Sequence, residues 1–284
     1  MRKFSAYLKE RFRARVHKVS VDAGFSCPNI DGKISDKGCI YCDNEAFSFQ
    51  ARSKKNFPLK KQIEEGIGAA RKRFKAEKFI VYFQAHTNTY APVKTLKENY
   101  DTIRGFKDIV GLSIATRPDC INEEILDLVE SFAQDYEVWF EYGLQSIHNK
   151  TLKAINRGHT YEDFLKAFEA TRRRRIKVCS HVIIGLPGET EEMILKTAEA
   201  MAGLKVDGIK IHPLHVVKGT PLEELFRREE YTPLELDEYI RLLKGFLERL
   251  WPETVIQRLS AFCPDDLLIA PKWVSHRNIV ETRL

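Results

Sequence analysis

The amino-acid sequence predicts an α/β fold, a partial, TIM-like (β/α)6 barrel or open curved sheet with a C-terminal α/β extension. Two observations indicate this class. Short β-branched or aromatic runs alternate with longer amphipathic, charge-rich stretches from about residue 16 to residue 213, the order in which helical crossovers join parallel strands. Several runs are apolar on both faces, as expected of parallel strands that helices cover.

The predicted elements form six consecutive strand–helix units. The strands are expected at residues 16–22, 79–84, 109–116, 138–145, 177–185 and 208–213. The helices are expected at residues 59–75, 93–105, 122–134, 149–155, 161–174 and 191–204. After residue 213 the pattern changes to helices at 221–228 and 233–250, a short strand at 255–259 and a proline-punctuated segment at 263–273. The sequence therefore predicts a core of residues 1–215 and an extension of residues 216–284.

Composition and charge exclude several classes of protein. The 284 residues are 43% hydrophobic and 30% charged, which supplies a sizeable core and excludes wholesale disorder. No apolar run approaches the roughly 18 residues of a membrane helix. The basic N-terminal segment lacks the apolar stretch of a signal peptide, so we expect a cytoplasmic protein without a membrane partner. A net charge of +6 is compatible with a polyanionic partner without requiring one.

Three of the six cysteines lie close together, directly after the first predicted strand. Eleven residues separate Cys27 from Cys39, and two separate Cys39 from Cys42. Loops that follow strands build active sites in barrel-like folds, and a Cys-x-x-Cys pair suits two ligands of one metal centre. Because a closed zinc site or an ordinary cubane cluster takes four ligands, three thiolates predict a metal centre with an open, reactive position.

The residues alone leave two kinds of metal centre open. One is an iron–sulfur cluster on the three cysteines. The other is a zinc knuckle whose fourth ligand is His17 or Cys120. Cys120 and Cys179 are otherwise expected to be small buried residues, and the pattern assigns no role to Cys263.

Further motifs resemble those of the radical S-adenosylmethionine (SAM) superfamily. Tyr41 stands immediately before the last cysteine, as an aromatic residue does there. The segments GLSIATRPD at 111–119, EYGLQS at 141–146, RGH at 157–159 and HVIIGLPGE at 181–189 resemble strand motifs of the Elongator catalytic subunit and its branch. The segments DAGFSCPNIDG at 22–32, YFQAHTNTY at 82–90 and APKW at 270–273 make the chain similar to the YhcC/YtqA-like radical SAM family.

This resemblance implies a radical SAM core, two cofactors and a reaction. A [4Fe–4S] cluster would be held by Cys27, Cys39 and Cys42, and its fourth iron would bind SAM. An external one-electron donor of the flavodoxin or ferredoxin type would reduce the cluster. Cleavage of SAM would then give methionine and a 5′-deoxyadenosyl radical that abstracts hydrogen from a substrate, so the protein is expected to be an enzyme of transferase or oxidoreductase type.

The resemblance also implies which residues meet SAM. Gln145 and Arg157 match positions that contact SAM in the related families, and a guanidinium suits a carboxylate. Tyr41 and the strand end at 185–188 match positions beside the adenine. The candidate cofactor-binding residues are Tyr41, Gln84, His86, Thr87, Thr116, Glu141, Gln145, Arg157, His181, Gly185 and Pro187.

Three classes of function stay open. Elongator-like relatives, the net charge and the basic run at 172–175 indicate RNA, first of all tRNA base modification. No RNA-binding module is recognisable in residues 216–284, so a tRNA would dock on the barrel rim or use a partner. The second class is an enzyme for a small metabolite, with the extension as a lid. The third is an iron–sulfur or zinc protein without SAM chemistry, which predicts no special residues at 145, 157 and 185–188.

Overall fold

A parallel sheet forms the centre of the protein, in a computed structural model that describes residues 1–48, 52 and 57–284. The strands are β1 (Arg2–Lys3), β2 (Val16–Val21), β3 (Lys78–Phe83), β4 (Ile109–Thr116), β5 (Glu137–Gln145), β6 (Lys177–Ile184), β7 (Gly208–Pro213), β8 (Val216–Val217), β9 (Val255–Arg258) and β10 (Leu268–Ala270). Eight of them pair in the order β1-β9-β7-β6-β5-β4-β3-β2, and every pair is parallel. Strands β8 and β10 form a separate antiparallel pair.

Helices connect or flank these strands. They are α1 (Phe4–Phe12), α2 (Asn44–Phe47), α3 (Leu59–Phe74), α4 (Val93–Asp101), α5 (Glu123–Phe132), α6 (Asn149–Ala154), α7 (Tyr161–Arg172), α8 (Glu191–Leu204), α9 (Pro221–Arg227), α10 (Leu236–Arg249) and α11 (Ile279–Arg283). Side-chain caps explain several starts: Asn122, Thr160 and Thr190 each accept a hydrogen bond from a backbone N–H of the first turn. Among the described residues, no helix is both long and apolar enough to cross a bilayer.

The predicted fold class is confirmed, and the sheet is wider than the six predicted strands. Those six correspond to β2 to β7, with ends that differ by at most one residue. Beyond β7 the sheet continues with β9 and then β1. Strand β9 corresponds to the short strand predicted at 255–259, whereas the sequence predicts no strand at residues 2–3. The curled, open sheet is thus a half-barrel whose carboxyl ends all point to one side, because every strand runs in the same direction.

The N-terminal helix closes the amino end of this half-barrel. Helix α1 contacts both β2 and β9, which lie toward opposite edges of the sheet. Its Tyr7 and Leu8 are buried against Trp139, Cys179 and Ile80, residues of the sheet interior. The Tyr7 ring meets the Trp139 ring edge-on, with centroids 5.9 Å apart. This apolar cluster leaves the carboxyl end as the open end of the barrel.

The extension of residues 216–284 is built into the same body. Its strand β9 pairs with β7, and helix α10 packs on α8. Leu222 N–H donates to the Ile40 carbonyl oxygen at 2.9 Å, which ties the extension to the cysteine loop. The division at residue 215 therefore stays a prediction, and strand β9 of the extension belongs to the main sheet.

We expect α1 to contribute strongly to stability through its buried face. Replacing Leu8, which is 3% exposed, with alanine should lower the free energy of unfolding by about 2–5 kcal/mol, because it removes buried methyl groups and leaves a cavity. Urea unfolding followed by circular dichroism measures this change. The control is Lys9→Ala, at an exposed position of the same helix. Equal effects of the two variants would contradict the packing of α1 against the sheet.

Candidate active site

A cavity of about 250 Å³ opens at the carboxyl ends of the strands. Its walls come from the loop after β2, from the ends of β3 to β7 and from the segment that follows β9. All three clustered cysteines and nine of the eleven candidate cofactor-binding residues line it: Cys27, Cys39, Cys42, Tyr41, Gln84, His86, Thr87, Thr116, Glu141, Gln145, Arg157 and His181. The fold therefore brings these distant parts of the sequence to one place.

Backbone hydrogen bonds hold the cysteine loop in a compact, folded-back form. Cys42 N–H donates to the Cys39 carbonyl at 3.0 Å, which shapes the Cys-x-x-Cys turn. Gly38 N–H donates to the Asn29 carbonyl at 2.7 Å, and Asn156 donates its amide to the Gly38 carbonyl at 2.6 Å. Gly38 has a φ of +68°, a left-handed conformation that favours glycine. This geometry returns the chain so that Cys27 and the Cys39/Cys42 pair face the same cavity.

The surroundings of the thiols suit metal-bound sulfur. Cys39 Sγ lies 3.5 Å from Arg157 Nη1 and 3.6 Å from Asn29 Nδ2, two donors that stabilise negative charge on sulfur. Crowding around the Cys42 thiol and the proximity of Cys39 and Cys27 raise the pKa of Cys42 to about 12, although the residue as a whole is exposed. The Cys42 thiol is thus protonated at neutral pH without a metal, and a bound metal would displace its proton.

The two candidate fourth ligands of a zinc knuckle do not line this cavity. His17 lies near the amino end of β2, where its ring stacks on Phe74 with centroids 4.4 Å apart. Cys120 lines a different cleft, with Tyr90 and Asn122. Among the described residues, the cavity thus offers three cysteines and leaves a coordination position open, which fits a [4Fe–4S] cluster that binds a further ligand.

Arg157 is locked in place beside the cysteine loop. Its Nη2 and Nε donate to the Gly143 carbonyl at 2.7 and 3.2 Å, while Nη1 faces Cys39. A Cβ on Gly143 would lie 2.6 Å from Nη2, so only glycine leaves room for this guanidinium. Arg117 supports the same segment by donating to the Arg157 carbonyl at 2.7 Å.

Three buried polar atoms around the cavity have no hydrogen-bond partner in the described part of the chain. They are Gln145 Oε1, Asn29 Oδ1 and His215 Nε2, and all three residues line the cavity. Gln145 also has a φ of +75° where the pairing of β5 with β6 becomes irregular. Because a buried polar atom without a partner costs free energy, this set fits a polar ligand that supplies the missing hydrogen bonds. SAM, with amino, carboxylate and adenine groups, has this character.

Four further candidate residues follow β3 or end β4, and they are buried or hydrogen-bonded within the protein. Gln84 Nε2 donates to the Phe47 carbonyl at 2.7 Å, and His86 N–H donates to Asn44 Oδ1 at 3.2 Å. Thr87 and Thr116 are both buried, with the Thr116 hydroxyl hydrogen-bonded to Thr89. These four residues therefore shape the wall, and burial lowers the pKa of His86 so that its ring is neutral at pH 7.

Glu141 and His181 belong to a polar layer below the cysteine loop. The fully buried Glu141 carboxylate contacts Lys18, Lys210 and Ser113, and it accepts a hydrogen bond from His181 Nε2 at 2.8 Å. Burial alone would raise the pKa of Glu141, but the two lysines outweigh it and hold that pKa well below its usual range. Burial and Lys210 lower the pKa of His181 to about 4, so it is a neutral donor.

Gly185 and Pro187 are the two candidates that do not line the cavity. Gly185 follows β6, and its carbonyl accepts a hydrogen bond from the Tyr231 hydroxyl at 3.0 Å. A Cβ on Gly185 would lie 3.0 Å from Leu234 Cδ1. The extension therefore covers this strand end.

Several cavity residues are not among the candidates that the sequence predicts. Lys210, His212, His215, Arg258 and Phe262 all line the cavity. The signal for Lys210 was present, because a lysine between two isoleucines in a buried parallel strand requires a partner. Arg258 and Phe262 carried no comparable signal, since their position depends on how β9 joins the sheet.

The basic run at 172–175 lies away from the cavity. It follows the end of α7 and precedes β6, so it sits at the amino end of the sheet. Arg174 is paired with Glu123, Asp127 and Glu130, and Arg172 donates to the Leu204 carbonyl at 2.7 Å. This run therefore does not support RNA docking at the cavity mouth.

Comparisons with known proteins agree with this site. The sequence pattern of the Radical SAM superfamily matches residues 32–201, and that of the Radical_SAM C-terminal domain matches residues 206–284. "Uncharacterized protein MJ0486" of Methanocaldococcus jannaschii is 40% identical over 95% of this chain and 83% of its own length. "Uncharacterized protein YtqA" of Bacillus subtilis is 38% identical over 94% of this chain and 83% of its own length.

Two further proteins match more distantly. The tRNA uridine(34) acetyltransferase of Methanocaldococcus jannaschii is 35% identical over 51% of this chain, which corresponds to 27% of that protein. The solved structure of Methanocaldococcus infernus Elp3 superposes with a TM-score of 0.66 at 22% identity, covering 89% of this chain and 58% of that one. At this level of identity, the similarity to the Elp3 structure shows a shared fold.

Members of the matched superfamily bind a [4Fe–4S] cluster and SAM, and they generally need an external electron donor. The half-barrel, the two matched domains and the 40% identity over almost the whole chain all agree with the motifs of the sequence. The chain thus belongs to the radical SAM superfamily, in the group that includes MJ0486 and YtqA.

Proposed function

We propose that Cys27, Cys39 and Cys42 hold a [4Fe–4S] cluster that leaves one iron open for SAM, and that the enzyme modifies a base in tRNA. One observation carries the cofactor part: three thiols and three unpartnered buried polar atoms converge on one cavity at the open end of the barrel. When bound, the cluster and SAM supply a 5′-deoxyadenosyl radical after reduction by an external flavodoxin or ferredoxin.

The residues of this chain would position SAM and exclude water. Arg157 is fixed beside Cys39 by Gly143, so its charge is available for the SAM carboxylate without reorganisation. Gln145 Oε1 accepts no hydrogen bond from the described residues, so it is a suitable acceptor for the SAM amino group. Tyr41 is buried next to Cys39 and lines the cavity, where its ring can cover the adenine. The apolar plug of α1 closes the far end and shields a reactive radical from solvent.

Two observations support tRNA as the substrate. The partial relative named above is a tRNA uridine(34) acetyltransferase, and it shares about half of this chain. Phe262 lines the cavity, is 40% exposed and carries Arg277 over its ring at 4.4 Å from the centroid. An exposed aromatic–arginine pair is a platform on which an unpaired nucleobase stacks. The mouth of the cavity therefore offers a place for a flipped-out base.

The cluster prediction separates the two kinds of metal centre. Anaerobically reconstituted protein should contain about four irons per chain, and Cys39→Ala should abolish iron binding because it removes one of only three thiolates. Iron analysis and absorption spectra measure this. Cys120→Ala is the matched control and should retain the iron, since Cys120 lines another cleft. Stoichiometric zinc without iron, or iron loss in the control, would reject the three-cysteine cluster.

For SAM, we expect Gln145→Leu to weaken binding by tenfold or more, because a hydrogen bond to a charged group is worth about 1.5–3 kcal/mol. The same change should not lower the melting temperature of the SAM-free protein, because it removes an oxygen that has no partner. Calorimetry with cluster-loaded protein measures SAM affinity, and iron content serves as the control. Unchanged affinity in an iron-loaded variant would reject this contact.

The substrate class can be tested through the stacking platform. Phe262→Ala should weaken binding of unfractionated tRNA by about 1–3 kcal/mol, the value of one base–aromatic stack. Trp251→Ala is the matched control, since Trp251 is similarly exposed and has Lys205 over its ring but lies outside the cavity. Affinity measured over a range of salt concentrations should fall linearly on logarithmic axes. Absence of tRNA binding at low salt would favour the small-metabolite class instead.

A further inference from the structure

The charges inside the half-barrel do not balance. The side chains of Lys18 and Lys210 are 17% and 7% exposed, and both contact the one buried carboxylate of Glu141. Arg258 on β9 is the register partner of Lys210 on β7, and both line the cavity. Two largely buried lysines therefore share a single carboxylate, and the exposed Arg258 adds a third cation beside Lys210.

Within the part of the chain that the structure describes, no further carboxylate on the wall of the cavity makes up the difference. Glu141 is the one Asp or Glu among the described residues that line it. The other lining cations have partners of their own, since Arg117 pairs with Asp119 at 2.7 Å and Arg157 faces Cys39. Arg258 has no ion pair or side-chain hydrogen bond within the part of the chain that the structure describes. The excess positive charge thus sits at Lys210 and Arg258.

The unbalanced charge is costly at Lys210, which is largely buried, because buried charges require pairing. The Tyr82 ring lies 4.2 Å from Lys210 Nζ and 4.9 Å from Lys18 Nζ, which compensates only part of a full charge. Burial lowers the pKa of Lys210 to about 8, as expected where negative charge is short. A ligand that brings an anion would remove this shortage.

We propose that Lys210 and Arg258 bind an oxyanion of the substrate, a carboxylate or a phosphate, at the wall of the cavity that β7 and β9 form. A guanidinium binds either group with two parallel hydrogen bonds, and an ammonium adds a compact charge beside it. These residues lie on β7 and β9, whereas the candidate SAM ligands Gln145 and Arg157 lie on β5 and after α6. The inference rests on the proposed function, and it adds the chemical class of the group that the enzyme recognises.

Anion binding to the cluster-loaded protein at saturating SAM tests this. The probes are inorganic phosphate and acetate, titrated by calorimetry at constant ionic strength set with chloride. We expect at least one probe to bind, and Arg258→Gln to weaken it by about tenfold or more, the loss expected for one charged hydrogen-bonding partner. Lys244→Gln is the control, an exposed lysine on α10 outside the cavity, and should bind as the parent does.

A charge-reversal variant supplies the missing anion from the protein itself. Arg258→Glu should abolish anion binding and should keep or raise the melting temperature, because its carboxylate would balance Lys210. Arg258 is an exposed residue, so folding should tolerate both substitutions. A purely structural role of Arg258 predicts the opposite, a lower melting temperature with unchanged anion affinity.

The outcomes distinguish a phosphate from a carboxylate group, and they distinguish failure of this inference from failure of the proposed function. Preference for phosphate assigns a phosphate group, and preference for acetate assigns a carboxylate; either supports the inference. Cluster-loaded protein that binds neither probe, that binds equally well as Arg258→Gln, or that loses anion binding when SAM is added would overturn it. Failure to load a cluster would instead contradict the proposed function. In that case, anion binding to the metal-free chain would still test the roles of Lys210 and Arg258.

Discussion

The buried carboxylate of Glu141 is the interaction on which this half-barrel depends. It lies on β5, yet it contacts Lys18 on β2, Ser113 on β4, His181 on β6 and Lys210 on β7. Strands β2 and β7 are five positions apart in the sheet, so a shared partner draws them toward the same interior point. Burying the charges of this polar layer costs desolvation free energy, and the shared carboxylate connects side chains from strands that lie far apart in the sheet.

This layer divides the barrel interior into two zones with different tasks. Below it, Trp139, Ile80 and Cys179 pack against α1 and exclude water. Above it, the cysteine loop and the strand ends present thiols and unpartnered polar atoms. A radical reaction needs both zones, because the cofactors must be reachable from one end while bulk water is kept out of the other.

The sequence predicts the parts of this structure whose signal is local. Strand periodicity located β2 to β7, and the spacing of Cys27, Cys39 and Cys42 located the loop that reaches the cavity. What it missed depends on contacts between distant segments. Residues 2–12 carry no pattern that predicts an edge strand or a helix closing the barrel. These roles depend on pairing with β9 and on packing against the sheet interior. Likewise, Gly185 directly follows β6, one residue beyond the observed strand end, and Leu234 and Tyr231 of the extension cover it.

The origin of each cavity residue also separates cofactor chemistry from substrate choice. The residues proposed for the cluster and SAM come from the loop after β2 and from β5 and the segment after α6. The residues proposed for the substrate, Lys210, Arg258 and Phe262, come from β7, β9 and the segment after β9. The extension supplies two of these three and joins the sheet beside β7. A change of substrate can therefore arise in the extension while the radical-generating half stays unchanged, since the two sets of side chains share the cavity but not the strands that carry them.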